Sequence, residues 1–427
     1  MASPFRRKLE SPASPRQLSA LSDDLLEEIF LRIACPADIA RASTACVAFH
    51  RLITDRTFLR CYCSRYPPLL LGFLTLDVAE GFRCAEAPHP NAAAAGALVR
   101  AAAGFSFDYL PRGKGHRWDP CDVHDGRVLL KCLPPDGASG VVPDLVVCDP
   151  LSRLYLMLPA LPEEEEHGMK SFDAVFAPCT DAEETSFRVM GMAFCETKIM
   201  IFDFSSTSGC WMAGASSNWG ALIPKAVHGI TQPCYAYGCF YFKVRGTTKL
   251  LKLDMNTMDF SILNLPDACR GNIVTVEAGK GRLGMFCRNR HGKYLEYYTI
   301  MQSESEKASK WQKENRIAMW ANYECFIAGE AEGYVFIVDA PRAALPPKVQ
   351  DTELAVCISI QIKTGKIQRV SRYADHCAEK KNKAASPAML SRTGDGPSAG
   401  RGGRRAPCST YGERGWLTAM AELTAAV

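Results

Sequence analysis

One short unit recurs between residues 120 and 370, and it restricts the fold more than any other feature. A turn glycine leads into an apolar strand at Gly126–Leu130, Gly238–Phe242, Gly281–Phe286 and Gly333–Ile337. At four places a strand, a polar turn and a second strand follow. Leu145–Asp149 turns into Arg153–Leu158, and Ile199–Asp203 turns through Ser205–Gly209 to Trp211. Leu250–Asp254 turns through Asn256 and Thr257 into Phe260–Leu263, and Ile358–Ile362 turns through Thr364 and Gly365 into Ile367–Val370. Asp, Asn and Gly suit these turns because they hydrogen-bond their own backbone or tolerate positive φ. The alternation of Leu250, Lys252 and Asp254 predicts strands with one face tightly packed. Small antiparallel sheets in succession close radially into a propeller, which protects most strand edges. The fold class predicted is α+β: a small N-terminal helical domain, then a mostly antiparallel, propeller-like β domain. Five to seven blades fit the spacing, and a sandwich or two stacked sheets is the competing arrangement.

At 427 residues the chain is too long for one ordinary core. The boundaries predicted are an arm over 1–20, a helical domain over 21–66, the β domain over 67–370 and a tail over 371–427. The arm carries Ser-Pro pairs at Ser3, Ser11 and Ser14 with few apolar residues. The tail carries basic runs at Glu379–Lys383 and Gly400–Arg405. Both compositions predict disorder, because neither supplies enough apolar surface to offset ordering. An abrupt break in composition at residue 371 also fits a gene-model artefact. The alanine-rich stretches Ala92–Ala95 and Ala101–Ala103 predict loop or short helix.

A net charge of +4 is too mild to make the whole chain a nucleic-acid binder, so nucleic acid is not an expected partner, and the basic tail reads as a solvated extension before it reads as a nucleic-acid patch. No stretch offers eighteen continuous apolar residues, so no membrane contact is expected. The basic N-terminus is not followed by an apolar core of the kind a secretory signal needs. Nineteen cysteines are scattered irregularly with no CxxC. Small buried thiols in a reducing compartment explain them better than a disulfide framework does, which places the protein in the cytoplasm, the nucleus or both.

Catalytic patterns are sparse. Cys121 and His124 have ligand-like spacing but lack a second pair, so no metal site is expected. GxSxG, HExxH and P-loop motifs do not occur. No cysteine has a base paired with it in sequence, so the chain is not expected to carry a thioester, to act as an enzyme or to need a cofactor. Glu163–Glu166 reads as a solvated loop, and His116–Asp119 only faintly echoes a WD-type repeat.

Residues 21–60 are different in character. Leu25, Leu26, Ile29, Phe30 and Ile33 share one face of a helix, with Ser22 placed to cap it and Asp23 and Asp24 in its first turn. Pro36 suits the first position of a second helix running through Ile39. Cys46, Phe49, Leu52 and Ile53 fall at the spacing of a third, with Phe58 and Leu59 beyond. A segment this short rarely folds alone, and its apolar stripe is wider than one neighbour covers. Some of that surface must meet the rest of the chain or another protein.

This stretch resembles the F-box, the motif that docks substrate receptors onto the Skp1 subunit of cullin-RING ubiquitin ligases. The resemblance rests on Leu21, Leu25, Leu26, Ile29, Arg32, Ile33, Pro36, Asp38, Ile39, Arg41, Cys46, Phe49, Leu52, Ile53 and Phe58. It departs at Ser22, where the family usually has Pro, and at Phe49, where it usually has Trp. The β domain is similar to the F-box-associated domains abundant in plants, especially grasses. The resemblance implies an adaptor of an SCF-type (Skp1-cullin-F-box) ubiquitin ligase. Leu21, Leu25, Leu26, Ile29, Phe30, Ile33, Pro36, Ile39, Phe49, Leu52 and Ile53 would carry Skp1 binding, some at the interface and some in the supporting core. Partners implied are a Skp1-like protein, a cullin through it, and a protein substrate held by loops at one face of the β domain. Trp211, Trp219 and Trp320 are aromatic candidates there, each more commonly a core residue. The alternatives are an F-box scaffold without ligase role and a propeller-type binder of carbohydrate or another small molecule.

Overall fold

The computed structural model describes residues 21–373 except 67–69, 75–81, 102–105, 112, 114–115, 125, 135–141, 151, 163–167, 179–185, 197, 219–229, 232, 270, 290–293, 302–309, 320–322, 332 and 342–354. The arm, the tail from residue 374 on, the acidic run Glu163–Glu166, Trp219 and Trp320 lie outside the described residues, while 371–373, assigned to the tail from sequence, continue the last strand. Two compact units divide the rest, 21–66 and 70–373.

The first unit has four helices: α1 (Asp23–Phe30), α2 (Pro36–Ser43), α3 (Val47–Ile53) and α4 (Arg56–Arg65). Ser22 occupies the N-cap position of α1 with extended backbone but makes no side-chain capping bond, so the acidic first turn supplies the polarity there. Pro36 opens α2. Asp55 caps α4, accepting from the backbone N–H of Thr57 at 2.8 Å and of Phe58 at 3.4 Å. Leu26, Phe30, Ile39, Ile53, Phe58 and Tyr62 form the core of this unit. Phe30 stands edge-on to Phe49 at 5.0 Å and to Phe58 at 6.5 Å. The Tyr66 hydroxyl donates to the Leu31 carbonyl at 3.1 Å and the Tyr62 hydroxyl to that of Ile33 at 3.0 Å. These carbonyls follow the end of α1, where the helix offers no partner.

The second unit begins with a two-stranded sheet, β1 (Gly72–Leu74) and β2 (Phe82–Cys84), and the helix α5 (Ala92–Ala101). Five four-stranded antiparallel sheets follow. They are β3 (Arg117–His124) to β4 (Arg127–Leu133), β5 (Leu145–Cys148) and β6 (Tyr155–Met157); β7 (Met169–Ala177) to β8 (Arg188–Cys195), β9 (Ile199–Ser205) and β10 (Cys210–Ser217); and β11 (Cys234–Ala236) to β12 (Cys239–Lys243), β13 (Lys249–Asp254) and β14 (Phe260–Asn264). The last two are β15 (Ile273–Glu277) to β16 (Arg282–Arg288), β17 (Tyr294–Met301) and β18 (Gln312–Ala318), and β19 (Tyr323–Ala331) to β20 (Tyr334–Pro341), β21 (Ala355–Gln361) and β22 (Ile367–Tyr373). Each sheet pairs its strands in chain order, and the whole is a five-bladed β-propeller. Among the described residues each sheet packs in series against the next, which is the propeller arrangement and not a sandwich or two stacked sheets. The four recurrent glycines stand at first-to-second turns of blades, with Gly238 at φ 74° and Gly333 at φ 80°. The four sequence hairpins are third-to-fourth strand pairs.

The alternation works differently from expectation. Middle strands of the second, third and fourth blades are packed on both faces, because each of these blades stands between two others. Met200, Phe202 and Phe204 of β9 join a core with the first blade, while Ile199 and Ile201 join one with the third. Phe240 and Phe242 of β12 face the second blade, while Cys239 and Tyr241 face the fourth. Val274 and Val276 of β15 and Phe286 of β16 complete the pattern against Val335 and Ile337 of the fifth. Only the outer strands are open: β6 is exposed throughout and β18 nearly so.

Candidate functional site

The helical unit sorts the sequence-predicted residues into layers. Leu26, Phe30, Ile39 and Ile53 are buried in its core. Leu21, Ile33, Pro36, Phe49 and Leu52 are half-buried at its margin. Leu25 and Ile29, on α1, are 49% and 39% exposed. Val47, at the start of α3, is 87% exposed and was not anticipated from sequence. A lone valine carries no signal of its own; its exposure follows from the direction in which α3 packs. An ion pair of 3.1 Å between Arg51 and Asp23 joins α3 to α1, with both partners open to solvent and so of small energetic weight. Leu25 and Ile29, one turn apart on α1, and Val47 on α3 are thus exposed branched apolar side chains on two helices in contact, of a kind suited to an apolar partner rather than to chemistry.

In the propeller, strand order separates the connections into two sets. First-to-second and third-to-fourth turns meet strands at one end. Second-to-third and blade-to-blade connections meet them at the other. The strand ends that flank 134–144, 218–233 and 342–354 lie at the second end, while those that flank 178–187 and 302–311 lie at the first. Trp211 packs edge-on against Phe172 at 6.5 Å and donates its indole N–H to the Pro159 carbonyl at 2.8 Å. It is therefore partly committed to the junction of the first two blades. Beside it lies a cavity of about 60 Å³ lined by Leu145, Leu158, Leu161 and Phe172, room for little more than water.

Cys121 is buried, and desolvation pushes its thiol up to about 12. His124 is exposed, with its ring 6.3 Å from that of Phe176. Among the described residues no three His, Cys, Asp or Glu gather as a metal site. No described helix is long and apolar enough to cross a membrane. Asp122 joins the innermost strands of two blades, accepting from the Phe176 N–H at 2.8 Å and from the Val123 N–H at 2.8 Å. Burial pushes its carboxyl up to about 6, against the pull of these bonds and of His124. Sequence inspection also missed four consecutive exposed apolar residues, Leu154 and the three of β6 that follow it.

No protein-family model matches this sequence, and no curated protein matches it. Solved structures do. The WD40 domain of SCAP from fission yeast is 9% identical, with 62% of this chain and 91% of that one covered and a TM-score of 0.29. An oligogalacturonate lyase in complex with manganese is 9% identical, covering 61% and 66%, with a TM-score of 0.35. The α-L-arabinanase of Penicillium chrysogenum complexed with arabinobiose is 9% identical, covering 63% and 84%, also at 0.35.

Proposed function

We propose that the chain is a substrate-recruiting adaptor of a Skp1-cullin-F-box ubiquitin ligase. The helical unit docks on a Skp1-like protein, and the propeller holds a protein target. The observation that carries this reading is the exposure of Leu25, Ile29 and Val47 on a unit whose core is otherwise filled by Leu26, Phe30, Ile39, Ile53 and Phe58. A few apolar anchors of this kind supply most of the energy of a helix-to-helix seam. The F-box resemblance of residues 21–60 names the partner. The target is assigned to connections on the rigid ring, because loops on a fixed scaffold carry recognition. Catalysis is then by proximity: the adaptor raises the local concentration of the target near a charged conjugating enzyme.

The test is affinity capture of the full chain from proteasome-inhibited cells, with reciprocal capture through the Skp1-like protein. Recovery of a Skp1-like protein and a cullin, with targets that accumulate when the chain is depleted, supports the reading. Capture of the Skp1-like protein with no target stabilised on depletion favours a scaffold role. Failure to capture it at all removes the adaptor assignment.

A further inference from the structure

Two buried cysteines from successive blades meet in the core between the third and fourth blades. Cys269 lies in the connection after β14, where its N–H donates to the Pro266 carbonyl at 2.9 Å. Cys287 lies on β16 and pairs with Ile273 of β15. Both are fully buried, and their sulfur atoms are 2.6 Å apart. We propose that Cys269 and Cys287 are an oxidisable dithiol pair, which hydrogen peroxide converts to a reversible disulfide across this junction.

The geometry makes the second step of such a reaction fast relative to the first. One thiolate sulfur attacks a peroxide oxygen, giving a sulfenic acid and hydroxide, which takes up a proton to become water. The other thiol sulfur then attacks the sulfenyl sulfur and expels a second water. The net change is two thiols and one peroxide to one disulfide and two waters. Because the sulfurs already touch, the second attack needs almost no side-chain movement, and the sulfenic acid is consumed before further oxidation. The first step is slow. Contact with Cys269 and then burial hold the Cys287 sulfur in its thiol form, and the pair lies in one buried cluster with Leu265, Met285 and Tyr298. Oxidation therefore waits for a small oxidant and a local opening around Cys269. The bond would tie that connection to the fourth blade, restricting the opening that formed it.

The test is peptide mapping of the folded full chain, reduced, desalted, treated with hydrogen peroxide at neutral pH and then alkylated. Non-reducing digestion is expected to yield a linked pair of peptides carrying Cys269 and Cys287, two hydrogens lighter than their sum. Dithiothreitol should release the two peptides. Cys287→Ser should remove the link and leave Cys269 as a sulfenic acid that dimedone traps. If Cys287→Ser does not fold, the mapping of the unaltered chain still decides. Recovery of both residues as alkylated thiols, under treatment that oxidises the exposed Cys35 and Cys46, overturns the proposal. So does linkage of Cys269 or Cys287 mainly to other cysteines.

Discussion

Glu86 and Ser371, 285 positions apart in sequence, are hydrogen-bonded: the Ser371 hydroxyl donates to the Glu86 carboxylate at 3.2 Å. The backbone continues the join, with the Glu86 N–H donating to the Val370 carbonyl at 2.8 Å and the Arg372 N–H to the carboxylate at 3.4 Å. The segment that opens the propeller unit is thereby fastened to the outer strand of its last blade. Ser371 is buried, and its hydroxyl shares its proton between this carboxylate and the Arg372 carbonyl at 3.3 Å. Glu86→Ala should lower the stability of the propeller by about 1–2 kcal/mol, a loss of two charge-assisted bonds discounted for the exposure of the glutamate. Glu86→Gln, which keeps one acceptor, should lose less. Denaturant midpoints with unchanged slopes measure this, and equal midpoints for all three proteins would show that the join is idle.

Asp122 predicts a pH dependence. Its carboxyl in the folded chain titrates near 6, above the ordinary aspartate value. The native state therefore binds its proton more tightly than the unfolded chain does. The sign follows: this residue makes stability fall as pH rises from about 4 to about 6, by at most about 1.4 kcal/mol per pH unit. Asp122→Asn should remove that component. The measurement is the difference in denaturant midpoint between the unaltered chain and the Asp122→Asn variant across pH 4 to 7. A difference that does not vary with pH would show that the carboxyl titrates normally.

Glu296 behaves in the opposite sense. Burial works against its carboxylate, but the Lys313 ammonium and the Tyr298 hydroxyl, 2.7 Å away, outweigh it and hold the pKa below the ordinary glutamate value. Its contribution is present above the unfolded pKa and is lost as pH falls through the folded one. Lys313→Met should destabilise the propeller by about 1–2 kcal/mol at neutral pH, since it leaves a buried carboxylate short of one partner. The deficit should shrink in acid. Melting temperatures at pH 7 and pH 3 for both proteins give the comparison, and a deficit of equal size at the two pH values would refute it.

How much of this was legible depends on whether a residue's role is local. Turn geometry is local, so Gly238, Gly333 and the Asp254–Thr257 turn announced strand pairs that are present in the blades. Packing on both faces was hidden, because Leu250 and Leu251 look alike in sequence and separate only when the blade stands between two neighbours. For Ala92–Ala95 the sequence left loop and short helix both open, since alanine gives no contrast between faces, and the structure has the helix α5. The helix α4 was missed although Asp55 is an ordinary cap signal, because Arg56–Arg65 carries mostly polar residues around Phe58 and Tyr62. In the candidate site, periodicity marked the apolar face of α1 but could not divide it. Leu25 and Leu26 are adjacent and chemically identical, yet one is half exposed and the other is core.

That division gives the sharpest test of the proposed docking on a Skp1-like protein. Leu25→Ala with Ile29→Ala removes exposed methyl groups from α1, so the helical unit should keep its fold while its affinity for a Skp1-like protein falls by about tenfold or more. Val47→Asp adds a charge at a site open to solvent and should weaken binding with similarly little effect on folding. Leu26→Ala acts on a different quantity. It opens a cavity beneath Phe30 and Phe58 and should cost about 2–5 kcal/mol of the unit's own stability. Binding by titration and unfolding by circular dichroism separate the two classes. If the Leu25 and Ile29 double variant binds as well as the unaltered chain while Leu26→Ala remains folded and unable to bind, the layers have been assigned in the wrong order, and the partner approaches from another side of the unit.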